Sequence, residues 1–288
     1  MKKYSHHSYI IIVLIFIQVV FYSPKILAQQ IVFYGGLPDA YSTKALELAL
    51  SHTTDKNYQV TTFSKDLPKP RAFDRMNMQQ GIDVIYGGST IEREANYLPV
   101  NFPLLRGLNG WRVPLVHNDN KQLFRKVNTL NQLRGFTAGQ FHNWSDTLIL
   151  ESNQLNVVKA SDYAALYSML DKKRFEYFPR SVLEVDSDYM EYKHLNITIN
   201  TEILIHYPTA YYFYLRKGND SLAADIERGL QLSFADGSLT QLFMDYYGDV
   251  INKYSTTNAK VFRLENKYLS EGTPLDQKDL WIDLEINQ

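Results

Sequence analysis

The chain has 288 residues, no cysteine, and a formal charge of −1 from 30 basic and 31 acidic residues. Disulfide bonds and thiol chemistry are thereby excluded, and without a basic excess nucleic acid and anionic membranes are poor candidate partners. A chain of this length is expected to form two lobes of about 100–150 residues each rather than one small core.

The N-terminus has the parts of a secretory signal peptide. Lys2 and Lys3 precede an apolar run from Ile10 to Phe21, and Ala28 stands before a polar stretch. Because the run is short of the roughly 20 residues that span a bilayer, a cleaved signal is favoured over an uncleaved membrane anchor. We expect cleavage near Ala28 and a mature protein in the periplasm. Residues 1–28 hold three lysines and no acid, so the mature chain has 27 basic and 31 acidic residues, a formal charge of −4.

Two βαβαβ patterns follow in chain order. The first has strands at Ile31–Tyr34, Tyr58–Phe63 and Ile82–Tyr86, with helices at Ser42–Leu50 and Arg71–Gln80. Glycine pairs at positions 35–36 and 87–88 are expected to end two of these strands. This alternation predicts a parallel sheet with covering helices, whose ligands bind beyond the carboxyl ends of the strands.

The second pattern begins after an apolar strand at Trp111–His117. It has strands at Phe136–Ala138, Val157–Val158 and Phe175–Phe178, the last broken by Pro179, and helices at Trp144–Glu151 and, capped by Ser161, at Tyr163–Leu170. The chain then returns through a strand at Tyr211–Leu215, a helix up to Asp236 and a last helix that Gly248 is expected to end.

Three stretches carry a resemblance to a known family. They are Ile82–Ile85 with Thr90-Ile91-Glu92-Arg93, then Leu133–Gly139, then Lys217-Gly218-Asn219 through Asp236-Gly237-Ser238-Leu239. In order and spacing they resemble the family-3 extracellular solute-binding proteins, the amino-acid-type binding proteins of bacterial import systems. The stretches around Trp144 and at Tyr177–Arg180, with the Trp281 tail, resemble a divergent branch of that family.

The resemblance implies an α/β fold of the type II periplasmic-binding kind, with two lobes that close on a ligand about a hinge. Each lobe is expected to be a mostly parallel sheet flanked by helices, and two crossing strands join the lobes. We interpret residues 29–113 as the first lobe, 114–207 as the second, 208–250 as the return to the first, and 251–288 as a C-terminal extension that packs on a lobe.

Arg93 is the first candidate ligand residue, together with Thr90 of the same Thr-x-x-Arg stretch. By resemblance, Arg93 stands where a guanidinium holds a ligand carboxylate. The planar guanidinium stays protonated and can donate two hydrogen bonds to one carboxylate, which suits that role. The alternative is a surface arginine paired with Glu92, Glu94 or another acid.

Arg180 is the second candidate. The resemblance places an acidic residue near this position to meet the ammonium group of an amino acid, so an arginine here would instead attract an anion. The alternative is that Pro179 starts a helical turn and Arg180 pairs with Glu184, four residues later.

A predicted turn at Gly139–Ser145 leads into a helix, whose free N–H groups suit an anion. Its candidate ligand residues are Gln140, Phe141, Asn143 and Trp144, and Asn143 or Ser145 could cap the helix. Tyr34 and Tyr86, at the ends of strands, could stack on a flat ligand; aromatic residues in the core or at the rim are the alternative. Trp111 and Arg112 could shape the hinge or line the cleft.

These residues predict a periplasmic protein that captures a small, anionic or carboxylate-bearing solute and delivers it to an inner-membrane permease. The histidines are scattered and no catalytic motif is present, so we expect no enzyme activity, metal or cofactor. We expect a monomer whose partners are the small molecule and the permease. The alternatives are a sensory partner of a membrane receptor and, from another class, a dehydratase-type enzyme on the same fold.

Overall fold

The computed structural model describes residues 28–54, 56–65 and 67–285. The predicted signal peptide, Ala28 apart, therefore lies outside the described residues. In the described ranges the strands are β1 Gln29–Tyr34, β2 Tyr58–Thr62, β3 Val84–Gly88, β4 Leu98–Val100, β5 Trp111–His117, β6 Thr137–Phe141, β7 Asn156–Ala160, β8 Tyr177–Ser181, β9 Ile197–Ile199, β10 Ile203–His206, β11 Tyr211–Leu215 and β12 Lys260–Arg263. The α-helices are α1 Tyr41–Ser51, α2 Lys69–Asn77, α3 Ile91–Asn96, α4 Leu130–Leu133, α5 Ser145–Ser152, α6 Tyr163–Asp171, α7 Val185–Glu191, α8 Asp220–Ala235 and α9 Ser238–Ser255.

The strands form two sheets, one for each lobe. The first sheet has the order β2-β1-β3-β11-β4, and the second has the order β12-β10-β5-β8-β6-β7, with β9 also paired to β5. In each lobe three strands are parallel, β2-β1-β3 and β7-β6-β8, as the two βαβαβ patterns predict.

Both sheets are nevertheless mixed rather than mostly parallel. In the first lobe β11 pairs antiparallel with β3 and β4, and in the second lobe β5 pairs antiparallel with β8, β9 and β10. β5 and β11 each follow a passage of the chain from one lobe to the other. Each of them runs antiparallel to its neighbour in the parallel unit, β8 and β3 respectively. The α/β class and the two lobes are confirmed.

The lobes are joined by residues 101–110 and 207–210, here called the two connections, and the chain crosses once more between α9 and β12. The two connections touch at Gly110, whose carbonyl oxygen accepts a hydrogen bond of 3.2 Å from the backbone N–H of Tyr207. A β-carbon at position 110 would lie 2.0 Å from the carbonyl oxygen of Tyr207. Glycine is required here because the two backbones approach each other directly.

Three local boundaries differ from the sequence prediction, each because pairing across the sheet or a different cap decides the local structure. β3 includes Gly87 and Gly88, two residues beyond its predicted end, because they pair with Tyr212 and Tyr211 of β11. Pro179 does not break β8, since it lies opposite Pro114 of β5 in a continuous register. The N-cap of α6 is not Ser161 but Asp162, whose carboxylate accepts a hydrogen bond of 3.1 Å from the backbone N–H of Ala165.

The last helix is longer than predicted. Gly248 does not end α9, which continues to Ser255. The added turns bring Lys253 to the second lobe, where its Nζ lies 2.5 Å from the Asp186 carboxylate in α7. This helix therefore contacts both lobes.

Residues 256–285, here called the C-terminal segment, also run across both lobes. Its strand β12 pairs with β10 at the edge of the second sheet. Further along, the Asn266 side chain donates to the carbonyl oxygen of Pro208 at 2.9 Å, and Trp281 packs over Gly107. The N–H of Ile282 donates to the carbonyl oxygen of Arg106 at 2.8 Å. The segment thus contacts the second sheet and both connections.

Across residues 28–54, 56–65 and 67–285, we find no helix with the length and apolar character that a membrane span requires.

Two helix glycines should respond to alanine in opposite directions. A β-carbon at Gly229 of α8 would lie 1.9 Å from the carbonyl oxygen of Ala49 in α1, whereas at Gly248 of α9 the nearest atom is the flexible Met244 methyl at 3.4 Å. We expect Gly229→Ala to lower the free energy of unfolding by about 2 kcal/mol through overpacking. Gly248→Ala should raise it by about 0.5–1 kcal/mol through helix propensity. Urea unfolding followed by circular dichroism measures both; equal effects would contradict the packing of α1 against α8.

Candidate functional site

A cleft of about 1020 Å³ lies between the two lobes. The first lobe lines it with the end of β3, the loop after it and helix α3, and the second lobe lines it with the start of α5 and with Arg180 of β8. The connections contribute Asn109 and Thr209, and the C-terminal segment contributes Asn266 and Tyr268. The cleft is therefore built from both lobes, both connections and the C-terminal segment.

Beside the connections, the cleft contains a buried ion pair. Arg112 of β5, 4% exposed, forms a salt bridge with Asp146 in the first turn of α5. The hydroxyl of Tyr207 donates to the same carboxylate, and the guanidinium of Arg112 lies 5.4 Å from the centre of the Tyr207 ring. Burial is the largest single effect and lowers the pKa of Arg112, but Asp146, Tyr207, Glu184 and Tyr211 together raise it by more, so that the net shift is upward. Arg112 could either shape the hinge or line the cleft, and it lies in the cleft lining. Its salt bridge with Asp146 also holds α5 against the start of β5.

Trp111, its neighbour, has a different role. Its side chain is fully buried, and its indole N–H donates to the carbonyl oxygen of Ile282 at 3.3 Å. Trp111 therefore supports the C-terminal segment from the hinge side.

Arg180 lines the second-lobe side of the cleft, but its charge is already matched. Its Nε donates to Asp188 of α7 at 2.6 Å, and an Nη atom lies 2.9 Å from the carboxylate of Glu184. Burial lowers the pKa of Arg180, and Glu184, Tyr167 and Asp188 outweigh that effect and raise it. The anticipated pair with Glu184 is present, although Pro179 lies in a strand and not in a helical turn. A ligand contact of Arg180 stays a prediction.

Arg93 lines the opposite side and lacks an acidic partner among the described residues. Thr90 caps α3 by accepting from the backbone N–H of Arg93 at 3.1 Å, which fixes the start of the helix. The guanidinium donates to the carbonyl oxygen of Gly88 and lies 5.1 Å from the ring centre of Phe73. Glu94, one of the two acids considered as partners, instead accepts from the Ser89 hydroxyl at 2.5 Å.

Lys69 is a cleft residue that the sequence analysis missed. It opens α2, and its Nζ lies 5.8 Å from the ring centre of Tyr86. No carboxylate in the described part of the chain pairs with it. Burial, and secondly the charge of Arg93, lower its pKa to about 8. No motif marks Lys69 in the sequence, because only the packing of α2 beside α3 brings it near Arg93.

The other predicted ligand residues fall into two groups. Asn143 and Trp144 line the cleft, whereas Gln140, Phe141, Tyr34 and Tyr86 are not part of its lining. Gln140 is buried in β6 and Phe141 packs on Trp144 at 5.7 Å. Tyr34 donates to the carbonyl oxygen of Leu67, and the Tyr86 ring lies 5.3 Å from that of Tyr211.

The turn before α5 is shorter than predicted. β6 continues through Phe141, so the turn occupies only residues 142–144 and not the whole of Gly139–Ser145. The N-cap of α5 is Trp144, without a side-chain hydrogen bond, so neither Asn143 nor Ser145 caps the helix. In the described residues, no group of three or more His, Asp or Glu side chains is placed to hold a metal ion.

The sequence matches no protein-family model and no curated protein. Solved structures do match the fold. A probable amino-acid ABC transporter extracellular-binding protein of Bacillus subtilis superposes with a TM-score of 0.57 at 16% identity, over 77% of this chain and 99% of that one. A structure from work on glutathione import via GshT and the cystine ABC importer TcyBC of Streptococcus mutans gives 0.54 at 14% identity, over 85% and 99%. The GluR0 ligand-binding core with L-glutamate gives 0.52 at 15% identity, over 76% and 98%.

These similarities define the fold. The chain has the two-lobed architecture of amino-acid-type solute-binding proteins and of the GluR0 ligand-binding core, at an identity that marks it as divergent. The type II periplasmic-binding fold implied by the sequence resemblance is confirmed.

The buried ion pairs of Arg180 should contribute more to the free energy of unfolding than an exposed ion pair of similar length. Arg180→Met leaves Asp188, 8% exposed, without its cation, so we expect the free energy of unfolding to fall by about 3 kcal/mol. Lys253→Met breaks a pair whose side chains are each 46% exposed and should cost less than about 1 kcal/mol. Urea unfolding of both variants makes the comparison.

The double variant Arg180→Met/Asp188→Asn separates charge from packing. Removing both charges should recover at least half of the loss seen in the single variant, since no unpaired ion remains buried. A double variant as unstable as Arg180→Met would mean that packing against Trp144, Tyr163 and Phe178, and not charge, accounts for the loss.

Proposed function

We propose that the chain is an exported solute-binding protein that closes its two lobes on a small carboxylate-bearing solute and delivers it to a membrane transporter. The fold supports this proposal, since two of the structures that it resembles come from amino-acid and cystine ABC import systems. The predicted signal peptide supports export. We infer that the mature protein works as a monomer in the periplasm.

The observation that carries the proposal is the guanidinium of Arg93 in the cleft, without an acidic partner in the described chain. A charged group that is partly removed from water is costly unless it is paired, and a ligand carboxylate supplies the missing charge. The Gly88 carbonyl and the Phe73 ring hold the guanidinium in place before a ligand arrives, which lowers the entropy lost on binding.

Among the described residues, two of the three acids that line the cleft are held by arginines, and the third, Glu92, is exposed on α3. Asp146 accepts from Arg112 and Tyr207, and Glu184 lies against Arg180. A general base must be free to take a proton from the substrate, and these two carboxylates are engaged by arginine side chains. We therefore propose that the chain binds its solute and releases it unchanged.

Arg93→Ala is the direct test. Purified mature protein should gain thermal stability from at least one small carboxylate, because a ligand that binds only the folded state stabilises it by mass action. Isothermal titration with that ligand should give an affinity about 10- to 100-fold lower for Arg93→Ala, the loss expected for one charged hydrogen-bonded contact. Arg71→Ala is the matched control, because Arg71 is an exposed arginine of α2 outside the cleft lining.

Two results would contradict the proposal. One is a panel of mono- and dicarboxylates and α-amino acids in which nothing stabilises the wild-type protein. The other is a carboxylate that binds Arg93→Ala and Arg71→Ala with equal affinity.

A further inference from the structure

Resting on the proposed function, we infer that the ligand carries two negative charges, which Arg93 and Lys69 bind together. The charges of the cleft lining lead to this inference. Its cations are Lys69, Arg93, Arg112 and Arg180. Arg112 is matched by Asp146, and Arg180 by Glu184 and Asp188. Within the described chain, the two first-lobe cations have no carboxylate, so the cleft offers two unmatched positive charges.

One helix holds both cations in place. Lys69 is the first residue of α2, and Phe73, one turn later in α2, provides the ring on which Arg93 lies at 5.1 Å. Both cations therefore lie against α2, one as its first residue and the other on a ring one turn later. A fixed pair of cations selects ligands whose two anionic groups, or two anionic oxygens, are spaced to meet both.

In the free protein the positive charges of Lys69 and Arg93 repel each other, which is unfavourable. Lys69 is half-buried and faces the guanidinium of Arg93 and the ring of Tyr86. A monoanion would neutralise one cation and leave the other enclosed and unpaired when the lobes close, which is unfavourable. A dianion neutralises both. Dicarboxylates and phosphate-bearing solutes share this chemistry.

Glu92 is the one acid of the lining that pairs with no cation in the described residues, and it is exposed on α3. It stands in the helix that carries Arg93, where an ammonium group on the ligand could meet it. The ligand set therefore includes dianions with and without an amino group.

Affinity for a dianion should depend on pH through Lys69. With its pKa at about 8 in the free protein, Lys69 is protonated below that pH, and binding of an anion favours the protonated form. Affinity should be constant from pH 6.5 to 7.5 and should fall above pH 8, by at most tenfold per pH unit. In Lys69→Gln this fall should disappear.

The decisive experiment compares ligands of equal shape and different charge by isothermal titration. Succinate and its mono-amide form one pair, and methyl phosphate serves as the phosphate-bearing probe. The wild-type protein should prefer the dianion by about 10- to 100-fold. Lys69→Gln should bring succinate down to the affinity of the mono-amide. Lys267→Gln, which removes an exposed charge outside the cleft lining, should keep the full preference.

The outcomes separate this inference from the proposed function. If Arg93→Ala weakens carboxylate binding but Lys69→Gln leaves the preference for dianions unchanged, the solute-binding role stands and the inference is overturned. If methyl phosphate alone binds, and Lys69→Gln weakens that binding, the dianion is supported and its source is a phosphate group. If a member of the wider panel of carboxylates and α-amino acids binds the wild-type protein but none of these probes does, the inference alone is overturned; if nothing in the panel or among the probes binds, both proposals are overturned.

Discussion

The ion pair between Arg112 and Asp146 constrains the cleft more than any other contact, because two charges withdrawn from water must remain paired. Arg112 belongs to β5 and Asp146 to α5, and the hydroxyl of Tyr207, in the other connection, donates to the same carboxylate. Both connections and the helix that lines the second lobe are thereby held at one point. Because the Asp146 carboxylate is engaged by Arg112 and Tyr207, it is not available to the ammonium group of a ligand.

The two lobes consequently differ in electrostatic character. On the second-lobe side, Arg180 is surrounded by Asp188, Glu184 and the ring of Trp144 at 4.9 Å, so this wall is charged but internally balanced. On the first-lobe side, Arg93 and Lys69 lack carboxylate partners among the described residues. In the proposed function the anion binds on this side, and the balanced wall covers it on closure without introducing a new repulsive charge.

Short-range signals predicted most elements of the fold, because hydrophobic alternation and helical periodicity are properties of neighbouring residues. The errors came where distant segments override a local signal. Gly87 and Gly88 read as a strand end, yet β11 pairs with them; Gly248 reads as a helix end, yet α9 continues to the second lobe. The site shows the same limit. A resemblance placed Arg93, but no pattern links Lys69 to it, and the pairing of Arg180 with Asp188 depends on how α7 packs beside β8.

The position of β12 bears on how the protein is made. β12 covers the outer edge of β10 in the second sheet, although it follows β10 by more than fifty residues in the sequence. A chain that emerges from the ribosome N-terminus first therefore exposes the backbone of β10 while α8 and α9 are still being synthesised. An open strand edge is a template for pairing with other chains. The nascent second lobe therefore keeps an open strand edge until its final strand arrives.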